Sequence, residues 1–435
     1  MKTLSASALG SILIIATSLF SCNQTGDGNS SKQSQSAGDK TTEVRVEMEN
    51  HTGSNTDVEV VTLESGDQVI KVPEDGWLTV DVPIRVPGRY KTEVRLAAGS
   101  ELPVTCWLED YIDNKDGRTF NVTGSLEFPV SDQKDQLITV HKDGTPLNSG
   151  IHKMRLHIQG GEARVDWINF TLLKKHQGSP EMLMQNTKGD EWVVVWSDEF
   201  DKGDQPDLAK WTYDIGNWGW GNNELQYYTE GNKENARIEN GNLIIESHKN
   251  HMGEKWTSAR LTTRGKTSFV YGRIEMRAKV PVEKGNWTAG WMLGDKYVDE
   301  LSWPYCGEID ILECVGFEID DLTGDGLHHA SVHCGAYYFK LNNQPTGITE
   351  VKSMNSEYHL YAIEWTPEYI KAFVDDVHYF TYEDTSDSLT WPYNEPQNII
   401  LNLAMGGGWG GAQGMDESVT SQQVVIDYVR VYERR

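Results

Sequence analysis

At 435 residues the chain is longer than one ordinary domain and fits two domains with a tail. Its hydrophobic content of 38% allows packed cores, while a mean hydropathy of -0.54 excludes a protein built mainly of membrane spans. The 65 acidic residues against 39 basic ones give a net charge of -26, which repels nucleic acid and disfavours sulfated or uronic polysaccharides as substrates.

The first 22 residues resemble a bacterial export signal. Lys2 supplies positive charge, and residues 9–20 form an apolar run that is shorter than the roughly 20 residues a bilayer requires. The run ends in Leu19-Phe20-Ser21-Cys22, which resembles a lipobox. We therefore expect acylation of Cys22 and a lipoprotein at the outer membrane or cell surface. An ordinary signal peptide with an incidental cysteine is the alternative.

Two polar segments predict linkers. Residues 23–40 are rich in Ser, Gln, Gly and Asn and contain no apolar anchor, as a flexible tether should. Residues 176–189 interrupt the strand pattern with polar and chain-breaking residues. These segments divide the chain into one predicted domain at 41–175 and another at 190–435.

The hydrophobic periodicity is two in both predicted domains. Alternation runs through residues 90–97, 152–158, 272–280 and 424–432, with turn residues at short intervals between such runs. No long amphipathic helix is visible. The pattern predicts an all-β protein with two antiparallel β-sandwiches.

The first sandwich resembles a family 6 carbohydrate-binding module. The matching segments are VRVEMEN (44–50), GWLTVDVPIRVPGRYKTEVRLAAG (76–99) and GIHKMRLHI with VDWINF (150–170). The resemblance implies glycan binding, with a spacer that has lost binding as the alternative. We expect Trp107 and Tyr111 to be exposed and Trp77 and Trp167 to belong to the core.

Three acids lie close together in the second domain, in Gly-Glu-Ile-Asp-Ile-Leu-Glu at residues 307–313. Strand alternation puts Glu308 and Asp310 on one face and Glu313 on the other, where a lone buried carboxylate is costly. One extra residue at Ile311-Leu312, a β-bulge, returns Glu313 to the face of the other two acids.

Paired carboxyl groups on one face suit glycoside hydrolysis. Retaining glycosidases hold two carboxyl groups about 5–5.5 Å apart, one as the nucleophile and one as the acid/base. Asp310 is placed to hydrogen-bond Glu308, and Glu313 needs a raised pKa to arrive protonated, for which we expect neighbouring like charge to be the cause. Three acids on a solvated strand face are the alternative.

The segment GEIDILECVG resembles the active-site strand of glycoside hydrolase family 16 in its laminarinase-like form. Further matching segments follow in order through residues 192–433: VVWSDEF (194–200), WGWGNNELQYYT (218–229), SARLTTRGK (258–266), YGRIEMRAKV (271–280), SVH (331–333), YAIEWTP (361–367), ILNLAMGGGWGGAQG (400–414) and IDYVRVY (426–432). The resemblance implies a β-jelly-roll with a concave glycan cleft and retaining endo-hydrolysis of β-1,3-glucan.

The same resemblance assigns roles to individual residues. It implies that Glu308 is the nucleophile, Asp310 the assisting acid and Glu313 the acid/base. The implied substrate-binding residues are Asn222, Arg260, Trp287, Trp291, His333 and Trp409. It further implies a structural calcium ion held by Glu199, the Gly241 carbonyl and Asp427, while catalysis itself needs no cofactor.

The sequence leaves the substrate and the final reaction open. Family laminarinases commonly carry Pro-Ala between the paired tryptophans, whereas Thr288-Ala289-Gly290 stands here, which changes the cleft floor and affects subsite preference. Mixed-linkage β-1,3-1,4-glucan and agar-type galactans are alternative substrates. Transglycosylation and non-hydrolytic glycan binding at the cell surface are alternative functions. We expect a β-glucan partner, a membrane contact only through Cys22, no nucleic acid, and a monomer.

Overall fold

The computed structural model describes residues 42–98, 102–111, 118–130, 135–183 and 191–435. The predicted export signal with Cys22, the tether at 23–40 and residues 184–189 of the second linker lie outside the described residues. The described part is built of β-strands with three short 3-10 helices, Met48–Asn50, Gly316–Glu318 and Phe339–Leu341. None of its helices is long and apolar enough to cross a membrane.

Two six-stranded sheets form the N-terminal sandwich, which we define as the strands from Glu43 to Lys175. One sheet has the order β10-β6-β12-β4-β3 with β1 beside β12, and the other has the order β2-β5-β11-β7-β8 with β9 beside β7. The strands are β1 Glu43–Glu47, β2 Gly53–Ser54, β3 Glu59–Thr62, β4 Gln68–Val72, β5 Trp77–Ile84, β6 Gly88–Ala98, β7 Val104–Tyr111, β8 Thr119–Asn121, β9 Leu126–Phe128, β10 Ile138–Leu147, β11 Gly150–Gln159 and β12 Ala163–Lys175.

Two larger sheets form the C-terminal sandwich, from Glu181 to Arg434. The nine-stranded sheet has the order β13-β21-β30-β23-β24-β25-β26, with β20 beside β30 and β15 beside β20. The ten-stranded sheet has the order β16-β19-β18-β31-β22-β27-β28-β29, with β14 beside β31 and β17 beside β18. The strands are β13 Glu181–Leu183, β14 Trp192–Asp198, β15 Thr212–Tyr213, β16 Gln226–Tyr228, β17 Ala236–Glu239, β18 Asn242–His251, β19 Glu254–Ser258, β20 Arg260–Thr262, β21 Ser268–Val270, β22 Gly272–Lys279, β23 Asn286–Gly294, β24 Glu308–Val315, β25 Gly326–His333, β26 Thr346–Val351, β27 His359–Trp365, β28 Tyr369–Val374, β29 Val377–Glu383, β30 Gln397–Met405 and β31 Ser421–Arg434.

The period-two pattern explains which faces are buried. In β6, Tyr90, Val94 and Leu96 are almost fully buried, whereas Lys91, Glu93 and Arg95 on the other face are half-buried. In β22, Ile274 and Met276 enter the core that lies between the two C-terminal sheets. Burying an aliphatic or aromatic side chain of this size contributes about 1.5–3 kcal/mol. The prediction of an all-β fold with two sandwiches is confirmed.

The prediction that Trp77 and Trp167 belong to the core is wrong. Both indole rings are half-buried, and each is covered on one side by an arginine. The Arg155 guanidinium carbon lies 4.1 Å from the centre of the Trp77 ring, and that of Arg45 lies 4.3 Å from the centre of the Trp167 ring. An arginine plane shields an indole without burying it in the core.

The two sandwiches share a buried apolar cluster. Residues of the N-terminal core, including Phe120, pack in one cluster with six residues of the C-terminal sandwich, four of which lie in the segment 293–306. These C-terminal members are Leu293, Tyr297, Trp303, Cys306, Tyr338 and Ile400. The described residues therefore form one compact unit.

A close backbone approach fixes one edge of this contact. The Asn217 amide donates to the Asp143 carbonyl at 3.1 Å. A Cβ atom on Gly144 would lie 2.1 Å from the Ile215 oxygen, and one on Gly216 would lie 2.0 Å from the Asp143 oxygen. Both glycines also have positive φ, so a larger residue at either position would strain the backbone and push the two segments apart.

Candidate active site

A cleft of about 780 Å³ lies on the nine-stranded sheet, and residues of β23, β24, β25 and β30 form its floor. Its lining is rich in aromatic and ionisable side chains. All nine catalytic and substrate-binding residues expected from the sequence are among the lining residues: Asn222, Arg260, Trp287, Trp291, Glu308, Asp310, Glu313, His333 and Trp409.

The predicted β-bulge is present in β24. On one side Ile309 pairs with Val332 and Glu313 with His329, so the step from 309 to 313 faces the shorter step from 332 to 329. On the other side Leu312 pairs with Gly290 and Asp310 with Trp291, which leaves Ile311 as the extra residue. Ile311 and Leu312 are both buried in the core. The bulge therefore brings the three carboxyl groups to the cleft wall.

Glu308 is held by an indole and faces an imidazole. Trp303 Nε1 donates to Glu308 Oε2 at 2.8 Å, and His333 Nε2 lies 3.6 Å from Glu308 Oε1. Burial and the neighbouring Asp310 raise the pKa of Glu308 to about 8, while His333 and the Trp303 hydrogen bond act in the opposite direction. These two contacts favour the ionised form of Glu308.

Asp310 lies against the same histidine. Its side chain is 4% exposed, and its Oδ2 lies 3.3 Å from His333 Nε2. Burial raises the pKa of Asp310 to about 8. Burial also lowers the pKa of His333, and the neighbouring Glu308 acts in the opposite direction. One polar atom each of Glu308, Asp310 and His333 lie within 4.8 Å of one another. The expected hydrogen bond from Asp310 to Glu308 stays a prediction.

Glu313 lies under a pair of perpendicular tryptophans. Trp287 Nε1 donates to Glu313 Oε1 at 3.1 Å, and the Trp287 and Trp409 rings are 5.3 Å apart in an edge-to-face contact. Burial is the main cause that raises the pKa of Glu313 well above its usual range, and Asp310 adds to it. Like charge, the cause expected from the sequence, comes second to burial. The environment of Glu313 therefore favours its protonated form.

The other expected substrate-binding residues surround this wall. Arg260 stacks between Trp220 and Trp291, with its guanidinium carbon 4.8 Å from each ring centre, and its Nε donates to Asp214 at 3.2 Å. Trp291 Nε1 donates to Asn402 Oδ1 at 2.8 Å. The aromatic rings at the cleft are thus held by hydrogen bonds and by a stacked cation.

Sequence reasoning missed two residues at the cleft. Trp303 touches Glu308, and the signal that could have found it is its position five residues before the acid, next to Pro304 and Gly307. Glu224 also lines the cleft, where burial raises its pKa to about 7, and it accepts hydrogen bonds from Asn222 and Gln226. Its sequence signal is an acid inside the matching segment at 218–229.

The departure from the family pattern lies mostly beneath the cleft floor. Thr288 is 1% exposed, and a Cβ atom on Gly290 would lie 2.4 Å from Met276 Sδ, so both positions face the core. Ala289 lines the cleft. Thr288 and Gly290 therefore affect the packing below the cleft floor, while Ala289 puts only a small side chain on the floor itself.

The residues expected to hold calcium are engaged with cations of the protein itself. Glu199 forms a two-pronged ion pair with Arg430, whose Nε and Nη2 lie 2.9 and 2.7 Å from the carboxylate oxygens. Asp427 accepts a hydrogen bond from Arg277. Gly241 lies in a turn between β17 and β18. As arranged, this donor set does not fit a calcium ion, and calcium binding stays a prediction.

Comparison with known proteins finds related sequences for the C-terminal sandwich. A family model described as "Glycosyl hydrolases family 16" matches residues 223–430. A "Beta-glucanase" of Rhodothermus marinus is 47% identical over 256 residues, which are 57% of this chain and 87% of that protein. A "Glucan endo-1,3-beta-glucosidase" of Cryptopygus antarcticus is 33% identical over 52% of this chain and 85% of its own length.

A solved structure extends the similarity to the fold. The structure of the laminarinase from Rhodothermus marinus is 48% identical, with a TM-score of 0.52, over 56% of this chain and 98% of that one. The matched family segment begins at residue 223, so the resemblance of the N-terminal sandwich to a carbohydrate-binding module stays a prediction.

Proposed function

This chain belongs to glycosyl hydrolase family 16, and from that premise we propose that it hydrolyses β-1,3-glucan internally and retains the anomeric configuration. The observation that carries the proposal is the bulged strand β24, which puts Glu308, Asp310 and Glu313 on one wall of an aromatic cleft. Such a wall supplies both a nucleophile and a proton donor. The relatives named above act on β-glucans by their names, which supports the same substrate class.

In the proposed reaction, a carboxylate oxygen of Glu308 attacks the anomeric carbon while Glu313 gives its proton to the glycosidic oxygen. The bond between that carbon and oxygen breaks, and the leaving glucan departs with a new hydroxyl group. Glu313 then removes a proton from a water molecule, which attacks the same carbon and releases Glu308. Two inversions at one carbon retain its configuration.

The neighbours of the acids tune the two protonation states. Glu308 must be ionised to attack, and the Trp303 indole N–H together with His333 favours that form. Glu313 must be protonated to donate, and its burial beneath Trp287 and Trp409 favours that form. Different environments for two carboxyl groups of the same type separate their roles.

The test of the substrate class compares three polysaccharides. The full chain is incubated with laminarin, lichenan and agarose, and the released reducing ends and oligosaccharide sizes are measured. We expect laminarin to be cut fastest and into internal fragments, with Glu308→Ala inactive and the exposed-surface variant Glu357→Gln fully active. Release from agarose alone overturns the proposed substrate, and parent-like turnover by Glu308→Ala overturns the proposed mechanism. Elongated products would instead identify transglycosylation, and binding without cleavage would identify a surface glycan-binding protein.

Replacing Trp303 with phenylalanine is expected to lower kcat/KM about tenfold and to move the acid limb of its pH profile upward by about one unit. The indole N–H stabilises ionised Glu308, and a hydrogen bond to a charged group contributes about 1.5–3 kcal/mol. Its loss raises the Glu308 pKa further, so the nucleophile ionises only at higher pH. A unit-sized shift with unchanged melting temperature supports the assignment, whereas an unchanged profile contradicts it.

Two further proposals concern the N-terminal part of the chain. We propose that Cys22 carries a lipid, which metabolic labelling with a fatty acid would detect in the parent chain and not in Cys22→Ser.

We also propose that the N-terminal sandwich binds glycan through Trp107 and Tyr111. In the structure the Trp107 ring stacks on His157 at 5.0 Å, and the Tyr111 ring contacts Arg155. The test measures how much of the inactive Glu308→Ala variant is retained on insoluble β-1,3-glucan. We expect the double variant Glu308→Ala/Trp107→Ala to lose that retention.

A further inference from the structure

A second cavity, of about 130 Å³, lies where the N-terminal sandwich meets the C-terminal one. We call it the junction pocket. The start of β6, the end of β12, the segment that follows β12 and the turn after β20 all contribute to it.

The charge of the junction pocket is opposite to that of the chain. Among the lining residues, five are basic (Arg89, Lys174, Lys175, Arg264 and Lys266) and Asp214 is the one acid. The whole chain instead carries 65 acidic residues against 39 basic ones. Collecting like charges in a partly buried place costs free energy that a bound anion would offset.

The one acid of the junction pocket is shared between two arginines. Asp214 Oδ1 lies 3.6 Å from Arg89 Nη2, while Asp214 Oδ2 accepts from Arg260 at 3.2 Å. Burial acts to raise the Asp214 pKa, but Arg89, Arg260 and Arg264 lower it to about 2. Asp214 is therefore ionised. It is the one acid among the lining residues, while Glu300 acts on Arg89 and Asp295 on Arg264 from outside the lining.

Two buried guanidinium atoms at the junction pocket lack a partner. Arg89 Nη1 and Arg264 Nε have no hydrogen-bond acceptor in the part of the chain that the structure describes. Arg264 donates from its Nη1 to the Tyr297 carbonyl at 2.7 Å, which holds the guanidinium in place. Leaving a buried donor unsatisfied costs about 1–3 kcal/mol, and more for a charged group. The neighbouring acid Asp295 accepts hydrogen bonds from Ser179 on both its oxygens. It acts on Arg264 as a nearby charge but accepts no hydrogen bond from Arg264 Nε.

We propose that the junction pocket binds a tetrahedral oxyanion, as free sulfate or phosphate or as a sulfate ester on a sugar. Guanidinium groups present several N–H donors in a fixed plane, which matches such oxygens. The cavity volume equals that of about four waters, enough for a group of five heavy atoms. His176 adds an imidazole whose pKa is lowered by burial and by Arg264 and Arg89, so it faces the same positive surroundings.

An occupied junction pocket would brace one end of the cleft. Arg89 comes from the N-terminal sandwich, yet its guanidinium carbon lies 5.9 Å from the Trp220 ring centre and 5.6 Å from that of Tyr297. Both of these rings line the cleft. An anion that engages Arg89 and Arg264 together therefore ties the two sandwiches to each other beside the substrate.

The experiment measures thermal melting of the full chain in increasing sodium sulfate or sodium phosphate. Sodium chloride at matched ionic strength is the reference, because general screening acts in both. A ligand that binds the folded state raises the melting temperature in a saturable way. We expect saturation at millimolar sulfate with a rise of several degrees, and no saturable rise in chloride. Equal curves in sulfate and chloride overturn the proposal.

Variants locate the effect. Arg89→Gln and Arg264→Gln are each expected to weaken sulfate binding at least tenfold in isothermal titration, and Lys266→Gln about threefold at the rim. Lys352→Gln, which removes a positive charge outside both cavities, serves as the matched control and should bind like the parent. If an arginine variant melts too low to titrate, Lys174→Gln at the rim replaces it. Parent-like binding by Arg89→Gln, Arg264→Gln and the rim variants overturns the assignment.

A second set of ligands distinguishes the two sources of the anion. Glucose 6-sulfate is titrated beside inorganic sulfate, with unsulfated glucose as the reference. Tighter binding of glucose 6-sulfate identifies a sulfated sugar as the ligand, whereas tighter binding of inorganic sulfate identifies a free ion. Either result supports an oxyanion site, and binding of glucose equal to that of glucose 6-sulfate contradicts it.

Discussion

Glu308→Ala is expected to lower laminarin hydrolysis by about 10⁴-fold, because removal of a nucleophile removes the covalent route altogether. Glu313→Ala is expected to cost about 10²–10⁴-fold on laminarin, because an unassisted glucan alkoxide is a poor leaving group. A glucosyl fluoride releases fluoride without a proton donor. On this substrate Glu313→Ala should therefore keep much of the parental rate of the first step, formation of the covalent intermediate. Initial rates on both substrates measure the two losses.

Azide separates the two roles by stereochemistry. In Glu308→Ala an azide ion fits the space left by the missing carboxylate and attacks the anomeric carbon from that side. The product is an α-configured glycosyl azide. In Glu313→Ala the covalent intermediate still forms on Glu308, and azide replaces water, giving a β-configured product. NMR of the two products checks the assignment.

Glu357→Gln is the matched control, since it changes an exposed glutamate far along the chain from the bulge. It should keep full activity and show no response to azide. The opposite stereochemistry in the two variants would exchange the roles of Glu308 and Glu313. A β-glucan cut with inversion by the parent chain would exclude the covalent intermediate.

The two sandwiches are expected to unfold together, although only one carries the cleft. Met48→Ala, in the core of the N-terminal sandwich, should lower the temperature at which laminarin hydrolysis is lost by about 2–6 °C. Truncating a fully buried methionine costs about 2–5 kcal/mol. When about 400 residues unfold as one unit, each kcal/mol shifts the melting temperature by about 1 °C. Thermal inactivation curves and circular dichroism measure the effect.

The shared apolar cluster is the reason for this coupling. Phe120 is 1% exposed, and Lys340 of the C-terminal sandwich lies over its ring at 4.3 Å. Phe120→Ala should therefore lower the same single transition as Met48→Ala. Val60→Ala, at a 54% exposed position of the same sandwich, is the control and should leave the transition unchanged. Two separate transitions, with hydrolysis unaffected by Met48→Ala, would show that the sandwiches are independent.

The coupling gives the N-terminal sandwich a role besides any glycan binding. Trp303, which donates to Glu308, belongs to the cluster that contains Phe120. The Asn148 amide also donates to Asp299 Oδ2 at 3.0 Å, in the same segment as Trp303. Packing of the first sandwich thus helps to fix the position of a residue that touches the proposed nucleophile.

Residue type alone misjudged the outer faces of the first sandwich. Trp77 and Trp167 lie in strand-like patterns, and large aromatic residues in such patterns are usually core. Their rings instead lie under Arg155 and Arg45. Whether an indole is covered by a core or by an arginine depends on a neighbouring strand, which local periodicity does not describe.

The sequence by itself determined the strand alternation, the all-β class and a bulge at Ile311-Leu312. Local chemistry was sufficient for these, because acids and aliphatic residues cannot exchange faces without burying a charge. Only the tertiary structure decided that Trp303 and His333 contact Glu308, that burial raises the Glu313 pKa, and that Arg89 reaches the cleft lining. Each of these contacts depends on packing between segments of the chain, and a local sequence pattern does not predict which segments pack together.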